Sequence, residues 1–261
     1  MSSDLVGIVA RRFKDFTEPY LNEPGDDFAY RLKVDHTNRV CDIATDIASA
    51  SAVSPRVLLA ARIAALLHDV GRFPQYKRYR TFRDAASANH AALSVRHALR
   101  AGMLADVPAD LRRLVLSAVI LHNVRILPST LPADTLAVAR IVRDSDKLDI
   151  YRVMIAHFAQ EDPEHPEVAL DVKRHPTAYT QAVLASLLKG ETGDYRHIVW
   201  VNDFKLMVVG WLYDLNYRRS CQMLHDLGYM DTIFATLPAD PQIIALRAQI
   251  TDHLAHRLAN G

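Results

Sequence analysis

The sequence predicts an all-α protein, and three observations support this fold class. Apolar residues recur at helical spacing along most of the chain, and serine, proline and glycine bracket several of these segments. Segments with the alternating pattern of strands are lacking, and HIVWVN at 197–202 is the one weak strand candidate. Half of the 261 residues are hydrophobic, which is enough for a sizeable core.

The segment 54–71, SPRVLLAARIAALLHDVG, shows the helical bracketing most clearly. Ser54 is a natural N-cap, Pro55 suits the first helical position, and Gly71 stands just past the expected end. The residues between them are almost wholly apolar, so we expect this helix to be buried.

Further helices are predicted on both sides of this segment. They cover 26–50, 87–102 (with Ser87 and Gly102 as its limits), 108–123, 131–159, 178–190, 201–216, 217–229 and 240–260. The segment 160–177 contains three prolines and is either a loop or an internal linker. We expect a single all-α domain over 1–261, with a core at about 26–160 and a helical extension at about 175–261.

Composition excludes several classes of protein. Lys and Arg number 31 and Asp and Glu 30, a net charge of +1 that argues against nucleic acid as a partner. Cys41 and Cys221 form no CxxC motif, so a disulfide framework is not expected. The N-terminal segment lacks the apolar region of a signal peptide, and no run of about 18 apolar residues occurs. We expect a cytoplasmic protein that acts on a small molecule without membrane contact, either alone or as a homo-oligomer.

Six polar residues stand within or at the ends of the predicted helices in the first part of the chain. In chain order they are His36, His68, Asp69, His90, His122 and Asp146. Their spacing suits ligands that point inward from successive helices of a bundle. Four histidines and two carboxylates are too many for one tetrahedral ion, so the set suits two ions that share a bridging carboxylate.

The donor types indicate which metals the set would take. Imidazole with carboxylate favours Fe, Mn, Co, Ni or Zn, whereas Mg and Ca prefer shells of oxygen alone. We expect one or two divalent transition-metal ions. The alternative for His90 and His122 is a place in the core or behind the ligands of a one-metal site. Two ions with two carboxylates would leave a positive site that attracts a phosphate and lowers the pKa of a bridging water.

Two stretches contain adjacent His and Asp: LHDVG at 67–71 and LHDLG at 224–228. Neighbouring helix residues point about 100° apart, so both can bind metal only near a helix end or from different sides of a metal pair. The first pair ends an apolar helix, and the other candidate ligands lie before and after it. We expect His68 to bind one ion and Asp69 to bridge both.

The second pair is not flanked by a comparable set of candidate ligands. It follows the polar run NYRRSCQ, and only two histidines near the terminus lie beyond it. We expect His225 and Asp226 to be exposed in the last turn of a helix that Gly228 ends.

The segment 71–84, GRFPQYKRYRTFRD, leads from the first His-Asp pair toward His90 and is rich in cations. Arginine forks match phosphate oxygens, so we expect a phosphate-binding loop with Arg72 as the best candidate; the alternative is a solvated basic loop. The candidate phosphate-binding residues, two of them beyond this segment, are Arg72, Lys77, Arg80, Arg83, Arg125 and Lys147.

Three residues near the set have alternative roles. Asp84 could hold an arginine of the basic segment or act as a proton donor. His97 could lie on the helix surface or behind the ligands. For Lys147 the alternative to phosphate binding is a surface salt bridge.

The ordered set H…HD…D, carried by His36, His68-Asp69 and Asp146, resembles the signature of the HD-domain phosphohydrolase superfamily. RDSDKLDIYR is similar to that superfamily's DADrLD motif, in which the second Asp is the ligand. The resemblance covers about residues 30–155. It implies an all-α HD-domain helical bundle, here with additional C-terminal helices, and a metal-dependent phosphomonoesterase or phosphodiesterase.

The additional His90 and His122 resemble the subset of that superfamily with two metals. That subset includes dinucleoside-polyphosphate hydrolases and cyclic-dinucleotide phosphodiesterases. The GYP element of cyclic-di-GMP phosphodiesterases is missing here, which argues against that substrate.

The first functional hypothesis is a phosphohydrolase that cleaves a phosphate ester of a nucleotide or related small molecule. A metal-bridging hydroxide would attack phosphorus, with Asp69 positioning it and Arg72 stabilising the developing charge. The second hypothesis is an HD-type di-iron oxygenase acting on a polyol or phosphonate, which the same two-metal set resembles. The third is a non-catalytic nucleotide sensor. The sequence leaves open the metal, the substrate, the ester class and the oligomeric state.

Overall fold

The computed structural model describes residues 2–24, 27–158 and 172–260, and it confirms the all-α prediction. Within these residues no strand forms, and the only β-type pairing is an isolated bridge between Lys173 and Trp200. The weak strand candidate at 197–202 therefore supplies one bridge residue, and α-helix begins at Val201.

The chain divides into two compact units, Met1–Asp149 and Ile150–Gly261. The single domain expected over 1–261 stays a prediction. Most of the proline-containing segment 160–177, up to residue 171, lies outside the described residues.

The first unit is built from helices that were largely predicted from the sequence. Their bounds are α1 (Ser2–Leu21), α2 (Phe28–Ala50), α3 (Pro55–Leu67), α4 (Arg72–Tyr79), α5 (His90–Arg100), α6 (Ala109–Leu121) and α7 (Ala133–Phe158), the last of which continues past the division between the units. The segment that forms α1 was not predicted to be helical.

Helix α3 is the buried centre of this unit. Ser54 caps it, since its hydroxyl accepts a hydrogen bond of 3.2 Å from the amide of Val57, and Pro55 is the first helical residue. Buried residues occur on all sides of the helix, which contacts α1, α2 and α6. The prediction of a buried helix at this position is confirmed, because a nearly all-apolar helix is stable only when other helices surround it.

The basic segment 71–84 is largely helical, which corrects its expected conformation as a loop. Helix α4 covers Arg72–Tyr79 and ends at Arg80, whose φ of 53° is left-handed. Tyr76 in α4 stacks on Phe82, with ring centroids 4.9 Å apart. The first part of this segment, up to Tyr79, is therefore ordered on a short helix, and Arg80, Phe82 and Arg83 follow it.

The start of α5 also differs from the prediction. Asn89 is its N-cap and accepts a hydrogen bond of 2.9 Å from the amide of Ala92, whereas Ser87 donates to the carbonyl of Arg83. The predicted end is correct, since Gly102 follows the helix with a φ of 63°.

Gly71 does not end α3 in the way that the sequence analysis expected. Its φ is −65°, so it is not a left-handed cap. A Cβ atom here would lie 2.3 Å from the carbonyl oxygen of His90 and 2.5 Å from the amide nitrogen of Ser94. The glycine is therefore required by the close approach of α5, and not by the backbone conformation of the turn.

Ser94 fixes this close approach through its hydroxyl group. The hydroxyl donates to the carbonyl of His68 at 2.6 Å and accepts from the amide of Gly71 at 2.8 Å. Ser94 is fully buried, so both hydrogen bonds form in the core, where an unpaired group would be costly. The turn after α3 is thereby attached directly to α5.

The second unit is also helical. Its described helices after α7 are α8 (Gln181–Leu188), α9 (Val201–Gly210), α10 (Arg218–Asp226), α11 (Tyr229–Phe234) and α12 (Pro241–Asn260). The helix predicted over 201–216 is α9 followed by a 3₁₀ turn at Trp211–Asp214. The core includes Leu184, Leu187, Leu206, Leu212, Leu224 and Leu246.

A helix that crosses a membrane must be both long and apolar. None of the described helices combines the length and the apolar character that crossing a membrane would need.

We predict that Gly71→Ala destabilises the protein by about 2 kcal/mol or more, because the new methyl group would meet backbone atoms that cannot rotate away. Urea denaturation followed by circular dichroism measures this change. Gly7→Ala is the matched control, since a Cβ there would meet only Arg11 at 3.8 Å. Equal stability of the two variants would contradict the packing explanation.

Candidate metal centre

The six predicted ligands all lie in the first unit, and four separate helices and the turn after α3 position them. His36 lies within α2, His90 is the first residue of α5, and Asp146 lies within α7. His68 and His122 each directly follow the last residue of a helix. The four histidines and Asp69 are buried. The sequence expectation that this set converges therefore agrees with the geometry.

Asp69 is shared by two groups of residues that could each hold a metal ion, with donor atoms within 4.8 Å of one another in each group. One carboxylate oxygen, Oδ2, lies 3.7 Å from Nε2 of His36 and 3.8 Å from Nε2 of His68. The other oxygen, Oδ1, lies 3.6 Å from Nε2 of His90 and 3.8 Å from Nε2 of His122. Each oxygen thus faces one histidine pair, which is the arrangement of a bridging carboxylate.

Asp146 joins the first of these groups. Its Oδ1 lies 3.1 Å from Nε2 of His36 and 3.7 Å from Nε2 of His68. Burial opposes ionisation of the Asp146 carboxyl, but hydrogen bonding from these two rings outweighs burial, so its pKa is well below the usual range. Asp146 is therefore an ionised donor beside the first histidine pair.

Backbone carbonyls orient two of the rings. Nδ1 of His68 donates to the carbonyl of Ala65, and Nδ1 of His122 donates to the carbonyl of Val119, each at 2.7 Å. A carbonyl can only accept, so Nδ1 must carry the proton in both rings. Both Nε2 atoms therefore face the centre.

Carboxylates orient the other two rings. Nδ1 of His36 lies 2.7 Å from Oδ2 of Asp149, and Nδ1 of His90 lies 2.6 Å from Oδ2 of Asp84. Arg39 also donates to Asp149. Carboxylate–histidine pairs of this kind fix the ring orientation and increase the basicity of the nitrogen that binds metal.

The second histidine pair shows that the site fits a cation. Nε2 of His90 and Nε2 of His122 lie 2.9 Å apart. Burial and Arg72 lower the pKa of His90, and burial with the neighbouring histidines lowers that of His122 to about 3. Both rings are thus neutral near pH 7 with the proton on Nδ1, so two lone pairs face each other without a hydrogen between them. An ion at a metal–nitrogen distance of about 2.1 Å can lie between atoms at this spacing.

In the first histidine pair, the pKa of His68 shifts in the opposite direction. Nε2 of His36 and Nε2 of His68 lie 3.3 Å apart. Burial favours neutral His68, but the charges of Asp69 and Asp146 outweigh burial and raise its pKa.

Lys33 is a functional candidate that the sequence analysis missed. Its Nζ lies 2.7 Å from Oδ2 of Asp69 and 5.2 Å from the centre of the Phe82 ring. Burial opposes ionisation of Asp69, but the charges of Lys33 and His68 outweigh burial, so the pKa of Asp69 is well below its usual range. The available signal was the position of Lys33 one helical turn before His36.

Among the cations of the segment 71–84, Arg72 is the one whose side chain lies close to the expected metal ligands. Its Nε lies 3.5 Å from Oδ1 of Asp69, and an amino nitrogen lies 3.4 Å from Nε2 of His90. Its other amino nitrogen donates to the carbonyl of Phe82 at 2.6 Å and to Asp84 at 3.1 Å. Arg72 is thus largely held by protein groups and reaches the centre from one side.

The other predicted phosphate-binding residues of this segment have different surroundings. Lys77 is exposed and paired with Glu23, and the Arg80 guanidinium lies 5.7 Å from the centre of the Tyr76 ring. Arg83 is exposed, and its carbonyl accepts the Ser87 hydroxyl. The structure therefore does not bring these three cations together at the ligands.

Arg125 and Lys147, also predicted to bind phosphate, lie on different elements. Arg125 is exposed just after α6, and its carbonyl accepts a hydrogen bond of 3.4 Å from Arg143. Lys147 is half-buried in α7 directly after Asp146. Their role in phosphate binding stays a prediction.

Asp84 contacts a predicted ligand, whereas His97 packs against an aromatic residue of α1. Burial favours protonated Asp84, but hydrogen bonding and charge from His90 outweigh it and lower its pKa to about 2. Asp84 is therefore ionised near neutral pH, which favours a role in orienting His90 over proton donation. His97 packs against Phe16, with ring centroids 6.0 Å apart, which agrees with the helix-surface alternative.

The second His-Asp pair lies at the end of α10. The His225 and Asp226 side chains are 62% and 66% exposed, and Gly228 follows with a φ of 63°. The expected exposed turn is confirmed, and neither residue belongs to a group of potential metal ligands in the described part of the chain.

Comparison with known proteins gives a match to the part of the chain that contains these residues. A family model described as HD domain matches residues 34–151, a range that contains all six predicted ligands. No curated protein and no solved structure gives a significant match.

We predict that Asp69→Ala removes most of the bound metal, because it deletes the one carboxylate that both histidine pairs share. Mass spectrometry of the purified protein measures metal per chain. Asp226→Ala is the control and should keep the wild-type metal content. Retention of metal by Asp69→Ala would contradict the assignment of the centre.

We predict that protonation of His122 in the unfolded chain contributes to the loss of stability of the metal-free protein in acid. The folded pKa of His122, about 3, lies below the unfolded value, so only the unfolded chain takes up this proton as the pH falls from about 6.5 toward 3. Stability from this group is therefore full above that window and decreases within it. Urea denaturation in EDTA between pH 7.5 and pH 4.5 should show a weaker pH dependence for His122→Gln than for the wild type. Parallel curves would contradict this origin.

Proposed function

We propose that this protein, whose residues 34–151 match a family model described as HD domain, is a metal-dependent phosphohydrolase. HD domains generally belong to metal-dependent hydrolases. The observation that carries the proposal is the shared Asp69, with one oxygen toward each of two histidine pairs.

The groups proposed to hold the metals are Asp69 itself, three residues on one side of its carboxylate and two on the other. His36, His68 and Asp146 would bind one ion, His90 and His122 the other, and Asp69 both. Such nitrogen and oxygen donors suit Fe, Mn, Co, Ni or Zn better than Mg. Divalent ions bound here would lower the pKa of a bound water, so that it can act as a nucleophile at neutral pH, and would polarise the phosphoryl group.

The protein's own groups keep these donors in the required charge state. Asp149 and Asp84 hold the Nδ1 atoms of His36 and His90, so that Nε2 of each ring faces the centre. Lys33 offsets the charge of Asp69 and keeps it ionised. This preorganisation reduces the rearrangement needed when metal and substrate bind.

The charge balance supports an anionic substrate. The carboxylates and cationic side chains of the metal-free centre leave one excess negative charge, since there are four of the first and three of the second. These groups are Asp69, Asp84, Asp146 and Asp149, and Lys33, Arg39 and Arg72. This excess favours uptake of cations. Two divalent ions would convert it to an excess of positive charge, which attracts phosphate.

Partial exposure of two cations supports the same substrate class. The side chains of Lys33 and Arg72 are each 15% exposed, whereas those of the four histidines are at most 8% exposed. A phosphate group that approaches from solvent would therefore meet these cations beside Asp69. Their donors would bind its oxygens and orient it at the centre.

The test is phosphate release by metal-free protein to which single metals are returned. p-Nitrophenyl phosphate, bis-p-nitrophenyl phosphate and a panel of nucleotides separate monoesterase from diesterase activity. We expect turnover that depends on a transition metal and is lost in Asp69→Ala. Oxygen uptake with a polyol or phosphonate, without phosphate-ester cleavage by any metal form, would instead establish the oxygenase alternative. Unaltered substrate under both conditions would favour a sensor.

We predict that Lys33→Met lowers kcat/KM for the active phosphate ester by about 10²-fold while metal content is retained, because Lys33 contacts the bridging carboxylate and is proposed to bind phosphate without binding metal. Steady-state kinetics and metal analysis of the same sample separate these effects. Lys14→Met, at an exposed position of α1, should behave as wild type. Wild-type kinetics in Lys33→Met would remove Lys33 from the proposal.

A further inference from the structure

We infer that Gln75 is a positioning residue for the second histidine pair, His90 and His122, and thereby for the ion that this pair would hold. The inference rests on the two-ion centre of the proposed function. Gln75 lies in α4, within the basic segment 71–84, and its side chain is fully buried. A buried amide needs hydrogen-bond partners, and the partners that it has indicate which groups it fixes.

The amide nitrogen of Gln75 faces the segment that leads into α5. It lies 2.9 Å from Oδ1 of Asp84, 2.9 Å from the hydroxyl oxygen of Ser87 and 2.8 Å from the carbonyl oxygen of Ala88. These three residues closely precede α5, whose first residue is His90. The Gln75 side chain therefore fixes the approach to His90 against α4.

The amide oxygen of Gln75 faces the other cationic contact of the centre. It accepts a hydrogen bond of 2.9 Å from Nη1 of Arg72. A guanidinium can only donate and a backbone carbonyl can only accept, so the oxygen must face Arg72 and the nitrogen must face Ala88. Exchange of the two amide atoms would place donor against donor and acceptor against acceptor. Gln75 thus joins Arg72 to Asp84 in one orientation only.

Asp84 transmits this position to His90. Its Oδ2 lies 2.6 Å from Nδ1 of His90 and accepts from the backbone nitrogen of the same residue at 3.3 Å. The side chain of Asp84 is 30% exposed, so burial alone does not hold it. Its Oδ1 accepts from Gln75 and also, at 3.1 Å, from Arg72, which Gln75 itself holds. Loss of the Gln75 amide would leave this carboxylate freer to turn toward water and away from His90.

The first histidine pair is held by other groups. Nδ1 of His36 faces Asp149, and Nδ1 of His68 donates to the carbonyl of Ala65. Neither of these contacts involves α4 or the segment before α5. Loss of the Gln75 amide should therefore weaken the ion at the second pair and spare the ion at the first.

The test is titration of the metal-free, full-length protein with Co²⁺, followed by calorimetry and visible absorption. The binding step that is lost in His122→Gln identifies the ion of the second pair. We expect Gln75→Met to weaken this step by about 10- to 100-fold and to leave the other step at the wild-type affinity, because Met fills similar space without the hydrogen bonds.

A second variant tests the same position if Gln75→Met does not fold. Gln75→Asn keeps an amide in the core, but its side chain is one methylene shorter and cannot reach both Arg72 and Asp84. We expect it to weaken the same step. Thr17→Val is the matched control and should bind both ions as wild type, since Thr17 is buried in α1 and its hydroxyl donates to the carbonyl of Lys14 at 3.0 Å.

A double-mutant cycle separates positioning through Asp84 from a general effect on the core. In an Asp84→Ala background, Gln75→Met should weaken the second-pair step by less than about twofold, because the group through which it acts is gone. A purely structural role of Gln75 would instead retain the full loss in that background.

Where the wild type binds two ions, three results would overturn the inference. They are an unchanged second-pair step in the Gln75 variants, equal weakening of both steps, and a full loss that persists in Asp84→Ala. A wild type that binds one ion would contradict the two-ion centre of the proposed function, and this inference would fall with it. Failure of the positioning role is thus distinguishable from failure of the centre.

Discussion

The position of the Asp69 carboxylate is the constraint on which the rest of the first unit depends. Its two oxygens face histidine pairs from opposite sides: one pair on α2 and at the end of α3, the other on α5 and at the end of α6. Four helices must therefore converge on one turn. The buried apolar helix α3 makes this possible, because it sets the turn in the core where surrounding helices can reach it.

This convergence has an electrostatic cost in the absence of metal. Ionised carboxylates and imidazole rings are gathered where water is largely excluded, and at the second pair two nitrogen lone pairs face each other. Metal binding would replace that repulsion by coordination, so part of the binding free energy would appear as folding stability. Lys33 and Arg39 reduce the cost, since each lies beside a carboxylate of the centre.

The sequence was sufficient to predict most of the helices, though not α1 and α4, and the six residues that converge, for a physical reason. Polar groups that recur within apolar helical stretches need a common partner, and helix spacing restricts where they can meet. Lys33 could not be recognised in this way, because a lysine on a partly exposed helix face is ordinary until the fold brings Asp69 beside it. The segment 71–84 was expected as a loop because its charges obscure the helical pattern, although Phe73 and Gln75 are buried in α4.

The misassigned role of Gly71 has the same origin. A glycine after a helix is typical of a left-handed cap, and only the tertiary structure shows that α5 lies against its Cα atom. The hydrogen bonds that position His68 and His122 are likewise made to backbone carbonyls, which no side-chain pattern reveals.

The close contact at Gly71 also bears on how many ions such a centre can hold. The carbonyl oxygen that a larger residue would strike belongs to His90 itself, whereas His36 lies on a helix outside this contact. Displacement of α5 would move His90 away from Asp69 and leave His36 and His68 in place. The absence of a side chain at Gly71 thus keeps His90 beside the shared carboxylate, where the proposed second ion would bind.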